Sequence, residues 1–313
     1  MGVFGNGRFF ETLLIKMRSS SLAEHQELAN TLQEELNKVV PSFVRRAMPD
    51  HKHLLPAKEF LQVTHQALKP YATVFTMSDD KAPSVLLAEY DEDAEEKVVA
   101  ALLYPHSHQS FQALREHVKL LPESMRAQII RASMSGRSNR RHKPSRAFEN
   151  AQYTFDIIAD FGTYKDLERH RMLTQQRQHY TVEHGYGVPQ EIIDAGFELE
   201  WTECMEAVAY AYREIAKDLP EQAQYVITHG THVRWYFTIN ARSLYWLTEL
   251  RSQPQGHPNY RKVAQELYRL ARETHQSLFE HATYVDMNDY ALGRLQAETR
   301  QAQKQERKDQ EKN

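Results

Sequence analysis

The sequence of 313 residues lacks several features that would assign a protein to a class at once. A single cysteine, Cys204, excludes an internal disulfide framework and is typical of a reducing compartment. No run of about 18 apolar residues is present, so we predict no membrane-spanning helix. The first residues also lack the continuous apolar core of a signal peptide. We therefore expect a cytoplasmic protein.

An excess of charge of one sign is lacking too, because the net charge is −3 and the isoelectric point is about 6.6. Non-specific nucleic-acid binding needs a basic surface, so we do not expect nucleic acid as the main partner. One local exception is the segment 135–146, whose cations are Arg137, Arg140, Arg141, Lys143 and Arg146. We interpret it as a solvated basic loop. Two alternatives stay open: a phosphate clamp, and a site for RNA or DNA.

Charged and helix-favouring residues dominate what is present, so we expect an α-rich α+β protein. Residues 84–290 are predicted to form the main domain. Residues 1–50 have the pattern of a helical segment, and Pro56, Pro70 and Pro83 indicate that 51–83 is a linker with short helical turns. Residues 291–313 have few apolar side chains after their start, which predicts a frayed helix or a disordered tail.

The helical pattern of residues 22–47 resembles the later helix at 259–282. At an offset of 235 positions, the pairs that match are Leu28 with Val263, Ala29 with Ala264, Leu32 with Leu267, and Ala47 with Ala282. With a two-residue gap, Met17-Arg18-Ser19 also matches Leu250-Arg251-Ser252. We interpret the first ~50 residues as the tail of an upstream copy of the same domain. The alternative is that any two amphipathic helices match at this level.

The stretch 147–180 indicates a strand followed by a helix. Apolar and polar residues alternate over 152–160, which is typical of a half-buried strand, and 84–90 and 232–239 are further strand candidates. Thr163 and Asp166 have the spacing of a capping box, so a helix should begin there and carry Arg169, His170 and Arg171. Consecutive helical residues turn by about 100°, so one of these cations should face a cleft. A bound phosphate would balance its charge.

This order of strand, loop, helix and Arg-His-Arg resembles the signature of the flavin-dependent thymidylate synthases. A second segment, 235–251, resembles the family's later motif, because it has Asn-x-Arg-Ser and an arginine nine residues beyond the first. The resemblance covers about 84–286. It implies a ThyX-like fold, in which a helix-rich domain surrounds a small mixed or antiparallel sheet. It also implies a homo-oligomer, a dimer or a tetramer, with sites built between chains.

By this resemblance, the chain would transfer a one-carbon unit from methylenetetrahydrofolate to dUMP, with FAD as cofactor and NADPH as reductant. The residues expected to contact the flavin are Arg169, His170 and Arg171, joined by Asn240 and Arg242 of a neighbouring subunit. The residues at substrate-binding positions are Arg251, Thr174 and Arg177. No catalytic nucleophile is predicted, and His106 and His108 have no further ligand nearby, so we predict no metal site.

Several positions depart from the family pattern. The family's glutamine is Asp166 here, its asparagine is Gln176, its glutamate is Arg177, its second serine is His179, two of its arginines are Thr181 and Gln224, and a flavin-contacting histidine is Pro144. Each lost arginine should weaken a phosphate contact by about 1.5–3 kcal/mol. Two hypotheses follow. The chain is an active or once-active enzyme with impaired or altered substrate binding, or it is a non-catalytic relative, flavin-binding or structural.

Overall fold

The computed structural model describes residues 3–52, 54–72, 84–290 and 293–310, and it divides into two units. The first unit is Met1–Lys81 with Arg213–Tyr225, and the second is Ala82–Tyr212 with Val226–Asn313. Across the described ranges, no helix is both long and apolar enough to cross a bilayer.

Four antiparallel strands form the sheet of the second unit. They are β1 (Val85–Tyr90), β2 (Gln152–Asp160), β3 (Thr174–Arg177) and β4 (His232–Asn240), in the order β1-β2-β4-β3. The predicted strands at 84–90, 152–160 and 232–239 are confirmed. The strand β3 was not predicted, because its polar residues lie at the sheet edge and show no alternation of buried side chains. The small antiparallel sheet agrees with the expected fold class.

Helices make up most of the remaining described chain. In chain order they are α1 (Gly7–Ser19), α2 (Ala23–Asn37), α3 (Pro41–Val44), α4 (Leu54–Ala72), α5 (Ala94–Leu103), α6 (Phe111–Lys119), α7 (Glu123–Met134), α8 (Phe161–Leu167), α9 (Gln190–Asp194), α10 (Glu198–Ala216), α11 (Pro220–Ala223), α12 (Ala241–Arg251), α13 (Pro258–Thr274), α14 (Gln276–Phe279) and α15 (Gly293–Gln310). In the expected linker, α4 is longer than the short turns we predicted, while 73–83 lie outside the described residues. In the expected tail, α15 is helical.

The two faces of the sheet differ because side chains alternate along each strand. Tyr153, Phe155 and Ile157 of β2 are fully buried in one core with residues of β4 and of the helices α5, α12, α13 and α14. On the opposite face, Arg234 donates to both carboxylate oxygens of Asp156 at 2.5–3.2 Å. The buried face therefore fixes the register that positions the strand ends.

The basic segment 135–146 is part of the core packing. Arg137 is buried, donates to the buried carboxylate of Glu249 at 2.5 and 2.8 Å, and donates to the carbonyl of His281 at 2.8 Å. Arg140 and Lys143 lie over the ring of Trp246. Our interpretation of a solvated loop was therefore wrong for Arg137, since the buried carboxylate of Glu249 on α12 pairs with this cation, whereas Lys143 is exposed. A phosphate clamp based on Arg137 is excluded for the same reason.

Candidate active site

The corner between β2 and α8 is built on Asp160. Its carboxylate accepts hydrogen bonds from the backbone N–H of Thr163 at 2.8 Å and from the Thr163 hydroxyl at 2.7 Å. Asn259 of α13 donates to the same carboxylate at 3.0 Å. Helix α8 therefore begins at Phe161 with Asp160 as its cap. The predicted capping box of Thr163 with Asp166 was wrong, because Asp160 already supplies the acceptor.

The residues Arg169, His170 and Arg171 lie on the connection between α8 and β3, so our placement of them on a helix was wrong. Helix α8 ends at Leu167, and the chain from Thr174 pairs with β4 instead of continuing the helix. Arg169 is exposed and forms an ion pair with Asp166 at 3.0 Å. Arg171 is exposed, with no ion pair or hydrogen bond to any described residue.

His170 is half-buried and meets the end of α12. Its Nε2 accepts a hydrogen bond from Nε of Arg251 at 3.0 Å. Burial, the larger cause, and the nearby charge of Arg251 together lower the pKa of His170 to about 4. The imidazole is therefore neutral at pH 7. Because Nε2 accepts, its proton is on Nδ1.

Arg251 completes a small group of charges. Its guanidinium lies 3.7 Å from the Asp166 carboxylate, and it also lies over the ring of Tyr260 at 5.5 Å. We call Asp166, Arg169, His170 and Arg251 the Asp166–Arg251 cluster. It has two arginines, one carboxylate and a neutral imidazole, so one positive charge is left over. The fold thus brings together residues from both of the segments that carry the family resemblance, within one chain.

Asn240 and Arg242 lie at the other end of α12. The Asn240 side chain accepts from the backbone N–H of Ser243 at 2.9 Å, so it caps the helix. Arg242 donates to the Pro144 carbonyl at 2.8 Å and to Glu149 at 3.0 Å. Nine residues of helix, about 13 Å, separate Arg242 from Arg251. Within one chain, the structure does not bring these two residues to the Asp166–Arg251 cluster.

The remaining predicted substrate positions lie on or beside the edge strand. Thr174 pairs with Thr238 and Arg177 pairs with Trp235, and both side chains are exposed. The Arg177 guanidinium lies 4.0 Å from the ring centre of Tyr180. His179 follows the strand, Thr181 accepts from the Glu183 backbone N–H at 3.0 Å, and Gln224 belongs to the first unit. Thr174 and Arg177 therefore lie on an edge strand and not on the helix that we predicted for them.

A cleft of about 870 Å³ adjoins the cluster, and Asp166, Arg169 and Tyr260 line it. Three histidines that we did not predict also line it: His229, His232 and His257. The position of His232 could have been predicted from the sequence. Antiparallel pairing of the two predicted strands places it opposite Asp160, where β2 ends. Burial lowers the pKa of His232. No group of metal-binding side chains of sufficient size occurs among the described residues.

This cleft has the size and lining of a small-molecule site. Ligand pockets usually enclose about 300–1,000 Å³ and combine apolar walls with a few polar groups. Here Trp201 and Tyr260 supply aromatic surface, while Lys165, Arg169 and Lys262 supply cations. Three carboxylates, Asp160, Asp166 and Glu266, line the cleft as well. The aromatic faces can stack on a planar ring, and the cations can bind a phosphate.

Comparison with known proteins identifies the family. The family model described as "Thymidylate synthase complementing protein" matches residues 86–275, more than half of the chain. The family predicted from the Arg-His-Arg and Asn-x-Arg segments is thereby confirmed.

Proteins named UPF0159 match nearly the whole chain. One from Chlamydia pneumoniae is 42% identical over 302 residues, which are 96% of this chain and 57% of that protein. One from Thermoplasma acidophilum is 32% identical over 306 residues, 96% of this chain and 59% of that protein. The chain thus spans less than two thirds of the length of these relatives. A flavin-dependent thymidylate synthase from Geobacter sulfurreducens is 30% identical over 145 residues, 43% of this chain and 62% of that protein.

One solved structure supports the fold. A UMP/dUMP methylase, PolB, from Streptomyces cacaoi matches with a TM-score of 0.50 and 20% identity, over 64% of this chain and 93% of that one. At this identity the match establishes the fold alone. It agrees with the helix-rich architecture around a small antiparallel sheet.

Proposed function

Since this chain belongs to the family of the thymidylate synthase complementing protein, we propose that it methylates a uridine nucleotide with the aid of a flavin. The proposed substrate is dUMP, with methylenetetrahydrofolate as one-carbon donor, FAD as cofactor and NADPH as reductant. The observation that carries the proposal is the 3.0 Å contact between His170 and Arg251 beside the cleft. It joins the two segments through which the sequence resembles flavin-dependent thymidylate synthases.

The exposed arginines fit the phosphates of a flavin dinucleotide. Arg171 has no ion pair or hydrogen bond within the part of the chain that the structure describes, and Arg169, the exposed member of the cluster, is paired only with Asp166. Both guanidinium groups can donate in pairs to phosphate oxygens. A bound flavin supplies the redox chemistry that these side chains lack.

The residues of the Asp166–Arg251 cluster suit the nucleotide. Arg251 is directed by His170, so it can meet an anionic or carbonyl oxygen without first being ordered. The neutral imidazole of His170 accepts from Arg251 without adding a repelling charge. We assign Thr174 and Arg177 to the outer part of the substrate site, where their exposed side chains flank the connection.

Completion of the site by a neighbouring subunit is part of this proposal. Asn240 and Arg242 lie at the end of α12 opposite Arg251, and Arg242 is about 13 Å of helix away from it, so we propose that they reach the flavin from another copy of the chain. A dimer or a tetramer would supply them. We further propose that the protein acts in the cytoplasm, where its exposed Cys204 would stay reduced.

A second candidate function, a non-catalytic flavin-binding or structural relative, is favoured by one observation. Asp166 stands where the family has glutamine, and its carboxylate lies 3.7 Å from Arg251. A carboxylate in this place competes with an anionic ligand for the guanidinium and repels its phosphate. Such a chain would keep the fold and a flavin but would bind dUMP weakly.

The experiment that tests the proposal measures flavin and turnover on one preparation. Purified protein should show flavin absorbance after incubation with FAD, and it should release tritium from 5-tritiated dUMP when the folate and NADPH are added. Arg251→Ala should abolish tritium release, whereas Arg131→Ala, an exposed arginine on α7, should leave it unchanged. Flavin binding without tritium release would select the non-catalytic candidate, and the absence of both would refute the proposal.

A further inference from the structure

The two segments that match in sequence also match in helix boundaries. At the offset of 235 positions, the start of α2 at Ala23 corresponds to the start of α13 at Pro258, and α3 (Pro41–Val44) corresponds to α14 (Gln276–Phe279). The preceding helices share their caps: Asn6 accepts from Phe9 N–H and Asn240 accepts from Ser243 N–H, each at 2.9 Å. We call α1–α3 the amino-terminal arm and α12–α14 the carboxyl-terminal arm.

Residues that pack one helix against another are buried in both arms. Ala29 and its counterpart Ala264 are fully buried, and so are Val44 and its counterpart Phe279. Small residues at equivalent helix crossings allow the helices to approach closely. Apolar residues of the short third helix pack into the core of each arm. The two arms therefore share these buried positions, although Phe279 also packs edge-on against Tyr153 of β2.

Residues that face the sheet in the carboxyl-terminal arm have exposed counterparts in the amino-terminal arm. Val263 and Leu278 are 6% and 0% exposed and share a core with the strands, whereas Leu28 and Phe43 are 57% and 50% exposed. The described residues of the first unit contain no strand. The amino-terminal arm thus has the apolar face of a sheet-covering helix pair without a sheet beneath it.

The amino-terminal arm also has a buried arginine that lacks the partners of its counterpart in the carboxyl-terminal arm. Arg18 corresponds to Arg251, yet it has none of the partners that Arg251 has in His170 and Asp166. Arg18 is only 8% exposed, and its Nε is buried without a hydrogen-bond partner. Burial lowers its pKa. A buried nitrogen donor without an acceptor is costly, so we infer that Nε of Arg18 receives an acceptor from outside the arm.

We propose that the amino-terminal arm is the helical arm of a second domain of this family, and that its exposed face receives the antiparallel sheet of that domain. The sheet would cover Leu28 and Phe43, and the connection after its second strand would supply the acceptor for Arg18. The partner is a family-type sheet without a helical arm of its own, since the sheet of the second unit is already covered by α12–α14.

The lengths of the relatives agree with this partner. In the Chlamydia pneumoniae protein, the 302 matched residues are 57% of the length, which leaves about 230 residues outside the match. That remainder is close to the offset of 235 positions between the two arms. A remainder of this length is sufficient for one domain that carries the sheet.

The test uses the full chain and the part of the Chlamydia pneumoniae relative outside the match, expressed separately and confirmed as folded by circular dichroism. Light scattering after gel filtration should show a one-to-one complex. Leu28→Glu and Phe43→Glu should each weaken it more than tenfold. The matched control is Val39→Glu, an exposed apolar residue of the same arm whose counterpart Thr274 is not buried, and it should change the affinity less than twofold.

A second measurement covers the case in which that part does not fold alone. When this part of the relative is joined to the amino terminus of the chain, amide hydrogen exchange in α2 and α3 should slow more than tenfold. Leu28→Glu should reverse the slowing. No complex and no slowing would overturn the proposal. So would a complex that tolerates both substitutions, or self-association of this chain through Leu28 and Phe43. None of these results depends on flavin or dUMP binding, so the proposed function is tested separately.

Discussion

The carboxyl-terminal and amino-terminal arms are built from similar helices in different surroundings. The carboxyl-terminal arm covers a sheet, and its first helix ends at Arg251, which has two partners. The first helix of the amino-terminal arm carries Arg18 in its last turn, and this arginine is buried and lacks those partners. The matched alanines show that packing between helices was kept in both. Leu28 and Phe43 show that apolar faces were kept as well, even where no described strand covers them. The comparison therefore distinguishes the residues that pack helices against one another from the residues that complete a binding site.

The largest expected effect concerns the buried ion pair that joins the carboxyl-terminal arm to the segment 135–146. Glu249 is buried and paired with Arg137, whereas at the offset of 233 that matches Arg18 with Arg251 its counterpart is Lys16. Arg137→Ala should lower the free energy of unfolding by about 3–5 kcal/mol, because it leaves a buried carboxylate unpaired. Guanidinium denaturation measures the loss. Arg146→Ala, at an exposed pair, should cost below about 1 kcal/mol, and equal losses would contradict the assignment.

The second prediction compares equivalent positions of the two arms. Leu278→Ala should destabilise the second unit by about 2–5 kcal/mol, since it opens a cavity in the core. Phe43→Ala should change the stability of the chain by less than about 0.5 kcal/mol, because the ring is half exposed. Thermal and denaturant unfolding of both variants give the two values. A large loss from Phe43→Ala would show that its face is already covered.

The third prediction concerns sharing of the flavin site. Arg169→Ala combined with Arg242→Ala should weaken FAD binding by about tenfold or more, the loss of at least one charge-assisted contact. Fluorescence titration with FAD measures the affinity. Mixing the two single variants should restore part of the binding, because a mixed oligomer holds one site with both arginines. Absence of this rescue, with both single variants folded, would contradict a site built between subunits.

The smallest expected effect is a pH dependence. The folded-state pKa of His170 is about 4, below the ordinary value of 6.5, so protons bind the unfolded chain preferentially between these values. The contribution of His170 to stability is therefore complete above about pH 6.5 and is lost as the pH falls toward 4. His170→Gln should flatten the fall in the unfolding midpoint between pH 7 and pH 5. An unchanged slope would mean that the imidazole is not buried against Arg251.

The sequence predicted the elements whose residues alternate strongly. The strands β2 and β4 follow directly from Tyr153, Phe155 and Ile157 and their partners, because burial on one face leaves a period of two. The family could also be predicted from the sequence, because Arg169–Arg171 and Asn240–Arg242 keep the residues and spacing of the family's motifs.

The errors arose where long-range contacts overrode local pattern. Asp160 lies before the predicted cap and gains a partner on α13, so α8 begins and ends early. Edge pairing with β4 then makes a strand of Thr174–Arg177. Arg137 was expected in solvent because its partner Glu249 lies more than a hundred residues away in the chain. The contact between His170 and Arg251 has the same origin, and no local pattern predicts it.

The most direct test of the account is a calorimetric titration of dUMP into the flavin-loaded protein and two matched variants. Arg251→Met should weaken dUMP binding by about tenfold or more, because it removes a charge-assisted contact in the assembled site. Arg18→Met, at the equivalent position of the arm that lacks His and Asp partners, should leave the affinity within about twofold. Equal affinities for the wild type and Arg251→Met, or a loss of binding only in Arg18→Met, would contradict the account.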